Sequence, residues 1–303
     1  MRFPVQSRLN TVTDSDSIRK NIKYLIVAYP LASFLLVFFP ALVLLFVFSF
    51  YVNTEGGYFE PGVTIENYLR FFQTTLYIDR LIFTIYLAAV VTLLSLVLGY
   101  PLSYYLARLG SDSARQIILI VLVSSLWITY VIRAYAWGVI LSRDGMLSQG
   151  LHSLGLIEEP TSFAPGFGAV VVGMIYVFLP FMILTLYSSI RNIDDELVEA
   201  SKSLGGGPIT TFKNVTLPLS KNGIVSGCTL VFLLSVGTYI IPEILGTPTE
   251  RTHAIVIADQ VIHESNVPFA AVLSLILLFV VILTLSVVAK VFNISIGDIG
   301  GKS

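Results

Sequence analysis

Residues 168–190 read GAVVVGMIYVFLPFMILTLYSSI, with no charged side chain anywhere in the run. Crossing about 30 Å of hydrocarbon takes about 20 mostly apolar residues, so this stretch has the length and composition of a membrane span. Working outward, runs of the same kind occupy 24–52, 81–107, 117–141, 223–245 and 269–292. The expected fold is all-α and polytopic, with about six transmembrane helices. Pro30, Pro40, Pro101, Pro180 and Pro242 fall inside these runs. In a membrane helix such prolines mark kinks, tolerated where neighbouring helices satisfy the freed carbonyls.

Composition agrees with this reading. Apolar residues make up 55% of the chain and charged ones 12%, with a mean hydropathy of +0.84. A soluble domain carries about a quarter charged residues, so lipid is expected to solvate much of this surface. The net charge of -1 offers no basic field to collect phosphates, which argues against nucleic acid as a partner. The single cysteine, Cys228, excludes a disulfide framework and reads as a small buried hydrophobe.

The chain divides into a polar, basic segment 1–23, a membrane domain 24–293 and a tail 294–303. The first apolar run is far longer than a signal peptide's core and has no small-residue cleavage site, so it is expected to stay as the first span. Lys and Arg set the orientation. Arg2, Arg8, Arg19, Lys20, Lys23, Arg108, Arg115, Arg191, Lys202, Lys213, Lys221, Lys290 and Lys302 fall on one side, and Arg70, Arg80, Arg143 and Arg251 on the other. That bias of about three to one places both termini in the cytoplasm. On the outer side, Met146, Leu147, Leu151 and Leu154 recur on one face of a short helix that Gly155 would stop, and 63–72 mixes apolar and polar positions similarly.

The longest inner loop, 191–222, reads as two short helices. Asp194 and Asp195 favour a helix start, and Glu196 to Leu204 suits the helix itself. Gly205-Gly206-Gly207-Pro208 ends it, Pro208 can open a second helix, and Leu217-Pro218 closes that one before the next span. Such a pair, too short to be a domain, suggests a docking element.

Within it, Glu199-Ala200-Ser201, Gly205 after three more residues, and Val215-Thr216-Leu217-Pro218 after another nine resemble the EAA loop of importer permeases in the ATP-binding cassette family. Ser201 stands where that pattern has alanine, and Val215 where it has isoleucine. Three further stretches are similar to the spermidine/putrescine branch of the family: 126–141 (LWITYVIRAYAWGVIL), 176–192 (YVFLPFMILTLYSSIRN) and 237–246 (GTYIIPEILG). The resemblance implies a type I importer permease with a coupling-helix loop, in which Glu199, Ala200, Ser201, Gly205, Leu217 and Pro218 engage a separate ATPase. It further implies two ATPase subunits that bind the ATP and Mg, a second homologous permease and an external solute-binding protein. The chain itself would hold no cofactor and sit in a bacterial inner membrane. A polyamine is the implied solute, with other amines, amino acid derivatives or metal chelates as alternatives.

Arg133 is the clearly intramembrane charge, about 12 Å below the outer end of the third run at 1.5 Å per residue. Such a residue faces protein or a water-filled cavity. It reads either as half of an ion pair, with Glu243 or a carboxylate of the second permease, or as a pathway residue. Tyr130, Tyr135, Trp137, Thr238 and Tyr239 lie at similar depth. They suit contacts with a passing amine, and equally an interfacial aromatic belt. His253 and His263 lack short metal-ligand spacing. No Walker A sequence is present, and Gly300-Gly301-Lys302-Ser303 lacks its strand and helix context. A secondary transporter would be expected to carry buried carboxylates, and an intramembrane enzyme a catalytic pair. The runs contain no such pair, and no Asp or Glu except near their ends.

Overall fold

The structure, a computed structural model, describes residue 32, residues 34–54 and residues 58–291. The expected segments 1–23 and 294–303 lie outside the described residues, as does Pro30. In chain order, α1 (Phe34–Phe48) leads into a two-stranded antiparallel hairpin, β1 (Val52–Thr54) and β2 (Tyr58–Glu60), with Val52 opposite Glu60. There follow α2 (Glu66–Gln73), α3 (Thr75–Arg108), α4 (Asp112–Ser125), α5 (Tyr130–Leu141), α6 (Met146–Ser153) and α7 (Phe167–Arg191). The second half holds α8 (Asp195–Ser203), α9 (Pro208–Leu219), α10 (Lys221–Gly237), α11 (Ile240–Leu245), α12 (His253–Ile262) and α13 (Val267–Val291).

Three helices, α3, α7 and the 267–290 part of α13, are long and apolar enough to cross a membrane. The number among the described residues rises to five if each of two bent pairs is one span. The first expected run is only partly described, as α1. The stretch quoted at the outset becomes α7 with one residue added at each end, and it is the centre of the fold: 61% of its most apolar window is buried, against 33% in α3 and 17% in α13. Leu87 and Val91 of α3, Met174, Phe178 and Met182 of α7, Val231 of α10 and Ile241 of α11 share one core cluster.

Close approach of α7 and α10 depends on missing side chains. Gly223 and Gly227 are four residues apart, and a Cβ on Gly223 would lie 2.2 Å from Ser189 Cβ. Small residues at this spacing let membrane helices pack on backbone contacts. The sequence reading took Gly223 only as the start of a span and missed the pair.

Two expected spans are broken. The 117–141 run divides at Leu126–Thr129, where Asp112–Ser125 and Tyr130–Ser153 meet at 96°. No proline causes this. Ser125 Oγ donates to the Leu122 carbonyl at 2.6 Å and Thr129 is extended; Ser pairs that compete for backbone carbonyls bend helices. The 223–245 run stops at Gly237, with Thr238 extended at ψ 136° before α11. Pro242 has no N–H for the Thr238 carbonyl and its ring would crowd it, so a continuous helix is blocked there. By contrast, Pro101 and Pro180 sit inside α3 and α7 without ending them.

The short helix α6 ends at Gly155, at φ +71°, as its spacing indicated. The 63–72 stretch becomes α2, whose buried Phe71 joins Tyr77, Phe269 and Leu273 in a second cluster. His253 is buried beside Phe71; its backbone N–H donates to Thr84 Oγ1 at 2.7 Å.

Candidate functional site

The 191–222 loop forms the expected helix pair. Asp194 caps α8, its Oδ1 accepting the Glu196 N–H at 3.1 Å. At the other end Gly205 takes φ +86°, its N–H donates to the Lys202 carbonyl at 2.9 Å, and Gly206 N–H donates to Ser201 at 2.9 Å. This is a Schellman stop, in which glycine supplies the left-handed residue without steric cost. Pro208 then opens α9 at its first turn. Ser201 Oγ and Thr211 Oγ1 lie 3.0 Å apart and tie the two helices together.

As expected, α9 ends at Leu217-Pro218, within one residue. The helix widens to a π-turn at Phe212–Thr216, with Leu217 N–H donating to Phe212 O, and continues to Leu219 before a 64° bend into α10. The wider register accommodates a proline that has no donor to offer.

The pair is fastened to α3 at three places, none of them singled out from sequence. Arg108, at the end of α3, pairs with Asp195. Tyr100 and Tyr104 pack edge-on against Phe212, with centroids at 5.5 and 6.0 Å. Tyr100 Oη lies 2.7 Å from Ser220 Oγ in a buried hydrogen bond. Tyr100, Tyr104 and Arg108 are spaced by four, the signal of one helix face, and that spacing was legible. The tip remains uncovered: Leu204 is 90% and Ile209 81% exposed. Glu199 is exposed as well and makes no ion pair or side-chain hydrogen bond among the described residues, so it does not pin the loop.

The aromatic and polar positions of α5, α10 and α11 are only partly brought together. Tyr130, Thr238 and Tyr239 line one cavity of about 330 Å³ with Phe178, Leu233, Leu234, Gly237 and Ile240. Trp137 instead packs edge-on against Tyr176 at 5.6 Å, and Tyr135 is exposed.

Arg133 does not pair with Glu243. It is 4% exposed, its guanidinium carbon lies 6.0 Å from the Tyr176 ring centre, and Nε and Nη2 have no hydrogen-bond partner among the described residues. Glu243 faces Arg251 at 3.8 Å, while Arg251 also holds Asp259 at 2.7 Å. The sequence assumed one straight 223–245 helix. The break at Thr238 takes Glu243 into α11, where Arg251 is its partner. His263 Nδ1 sits 3.3 Å from Asp259, and the described residues contain no group of three or more candidate metal ligands.

Residues 31–293 match the family of binding-protein-dependent transport system inner membrane components. This chain belongs to that family. Among its relatives, this permease is 33% identical over 268 residues to the spermidine/putrescine transport system permease protein PotB of Salmonella typhimurium (strain SL1344), covering 88% of this chain and 92% of that one. It is 30% identical over 280 residues to the inner membrane ABC transporter permease protein YdcU of Escherichia coli (strain K12), covering 88% of each. Its fold is similar to that of a chain in the crystal structure of the bacterial alginate ABC transporter in complex with alginate pentasaccharide-bound periplasmic protein. There the TM-score is 0.70 at 16% identity, over 93% of this chain and 98% of that one. The chain is thus a transport permease subunit rather than an enzyme.

Proposed function

We propose that this permease forms one half of the translocation path of an ATP-driven polyamine importer, paired with a second permease, two ATPase subunits and an external solute-binding protein. Both termini and the 191–222 loop face the cytoplasm, in keeping with the distribution of Lys and Arg. The observation that carries the coupling role is the α8–α9 pair: an exposed apolar tip at Leu204 and Ile209, on a base bonded to α3. A partner that closes on the tip moves α3 and, through the shared core, α7 and α10. Glu199, Ala200, Ser201 and Gly205 belong to the surface the ATPase covers; Leu217 and Pro218 belong to the hinge into α10. Tyr130, Thr238 and Tyr239 lie on the path, and Tyr135, Trp137 and Glu243 lie toward its outer side. ATP and Mg are bound by the ATPase. Polyamine is favoured by the PotB relatives, which cover most of the chain.

A buried guanidinium with free donors costs several kcal/mol unless compensated, so Arg133 is assigned a carboxylate from the second permease. Arg133→Met is expected to lower the amount of second permease that co-purifies by about tenfold, while uptake per assembled complex holds. The figure reflects the loss of one charge-assisted contact. Unchanged assembly with uptake lost would instead make Arg133 a pathway residue, and would favour a solute that carries a carboxylate.

The substrate is tested by ATP-dependent uptake of labelled spermidine into proteoliposomes holding the full complex and its binding protein. Amines, amino acids and metal chelates serve as competitors. Competition strongest from polyamines is the expected result. ATP-dependent uptake of a different competitor, without spermidine uptake, would retain the importer and discard the polyamine. Uptake indifferent to ATP would discard the importer.

A further inference from the structure

Two helix breaks meet at one cavity. Tyr130 opens α5 directly after the first break, and Gly237, Thr238 and Tyr239 form the second. Irregular backbone at membrane depth is tolerated where it is buried in protein or lines a cavity, and here it does line one. We infer that this cavity is a station for one ammonium group of the solute, held by the carbonyl end of α10, the Thr238 hydroxyl and the Tyr130 ring. The inference rests on the polyamine reading above and specifies where that solute is held.

Three observations converge on a cation. First, the last carbonyls of α10 have no intrahelical donors and form the negative end of its dipole; Leu234 and Gly237, which carry two of them, line the cavity. The Thr238 carbonyl cannot recover a helical donor either, because the residue four positions on is Pro242. Second, Thr238 is 8% exposed, lines the cavity, and its hydroxyl has no partner among the described residues. Third, the rest of the wall is apolar or aromatic, including Leu233, Phe178 and the Tyr130 ring that packs on Phe178 at 6.1 Å. Carbonyls and an aromatic face suit an ammonium group, and the apolar wall suits the methylenes between two of them. A permeation site has to bind weakly enough to release.

The test compares Thr238→Val with Thr238→Ser in the assembled importer with its binding protein. Labelled spermidine uptake is normalised to the complex recovered with both permeases. Thr238→Val is expected to lower the maximal rate about tenfold, the loss of one hydrogen bond to a charged group, with KM unchanged because capture belongs to the binding protein. Thr238→Ser is expected to stay near wild type. Should Thr238→Val fail to assemble, Tyr130→Leu makes the same test, with Tyr130→Phe as its conservative counterpart. Wild-type spermidine uptake with equal rates in each compared pair overturns the station alone. A wild-type complex that imports a carboxylate-bearing solute and no amine overturns the station together with the polyamine reading.

Discussion

Gly205→Val is expected to reduce solute uptake between about tenfold and a hundredfold while ATP hydrolysis by the assembled complex continues. Gly205 sits at φ +86° with open space around the position of a Cβ, so strain rather than collision decides the effect. A β-branched residue held in the left-handed region costs about 1–3 kcal/mol. The chain escapes that strain by unwinding the Schellman stop, which releases the bonds from Gly205 to Lys202 and from Gly206 to Ser201. Leu204 and Ile209, on either side of the turn, then no longer present one tip. Gly207 supplies the control within the same loop. It has φ -69° and nothing within 4 Å of a Cβ, so Gly207→Val leaves the turn intact and uptake near wild type. The measurement is spermidine uptake and ATP hydrolysis on the same proteoliposomes for both variants. Equal losses from Gly205→Val and Gly207→Val would mean that bulk at the tip matters, not the left-handed turn, and the argument would fail.

How much of this was legible beforehand divides along the range of the interactions. Features set by neighbouring residues read correctly: the α7 run, the Asp194 cap, the Gly205 stop, Pro208 at a helix start and Gly155 after α6 all follow from local backbone chemistry. Failures came where a local signal has two outcomes. Proline in a long apolar run allows either a continuous helix or a break: Pro101 and Pro180 sit within continuous helices, while Pro242 follows a full break. The difference lies at Gly237 and Thr238, where the chain can leave the helix and still line a cavity. Ser124-Ser125 was readable as a weak point and was passed over in favour of total apolar length. Arg133 shows the other limit. A lone membrane arginine calls for a partner, and Glu243, at the end of another run, stood beside a carboxylate of the second permease as a candidate; only the fold shows that Arg251 faces Glu243. The α3 face of Tyr100, Tyr104 and Arg108 needed no fold to notice, since its spacing is helical, but its use as the anchor of the 191–222 loop is a long-range fact.

The second large effect is expected at Gly223. A Cβ there would lie 2.2 Å from Ser189 Cβ and 2.6 Å from Ser189 Oγ, both next to the α7 backbone, so relief requires the two helices to move apart. At Gly227 the nearest atom is Met182 Sδ at 2.9 Å, the flexible end of a side chain that can swing aside. Overpacking of this kind costs about 1–3 kcal/mol. Gly223→Ala should fall at the upper end and Gly227→Ala well below it, although both belong to one small-residue pair. The expected observation is a clearly lower melting temperature and yield for detergent-purified Gly223→Ala, with Gly227→Ala close to wild type. Because the collision is with Ser189, adding Ser189→Gly to Gly223→Ala should recover most of the loss, a coupling that a double-mutant cycle isolates. Equal melting temperatures for the two alanine variants, or no recovery from Ser189→Gly, would show that α7 and α10 are not held at backbone distance by this pair. The same separation governs coupling, because α10 begins directly after Ser220, which bonds Tyr100 of α3. A variant that spreads α7 from α10 should therefore lose uptake even at temperatures where it stays folded.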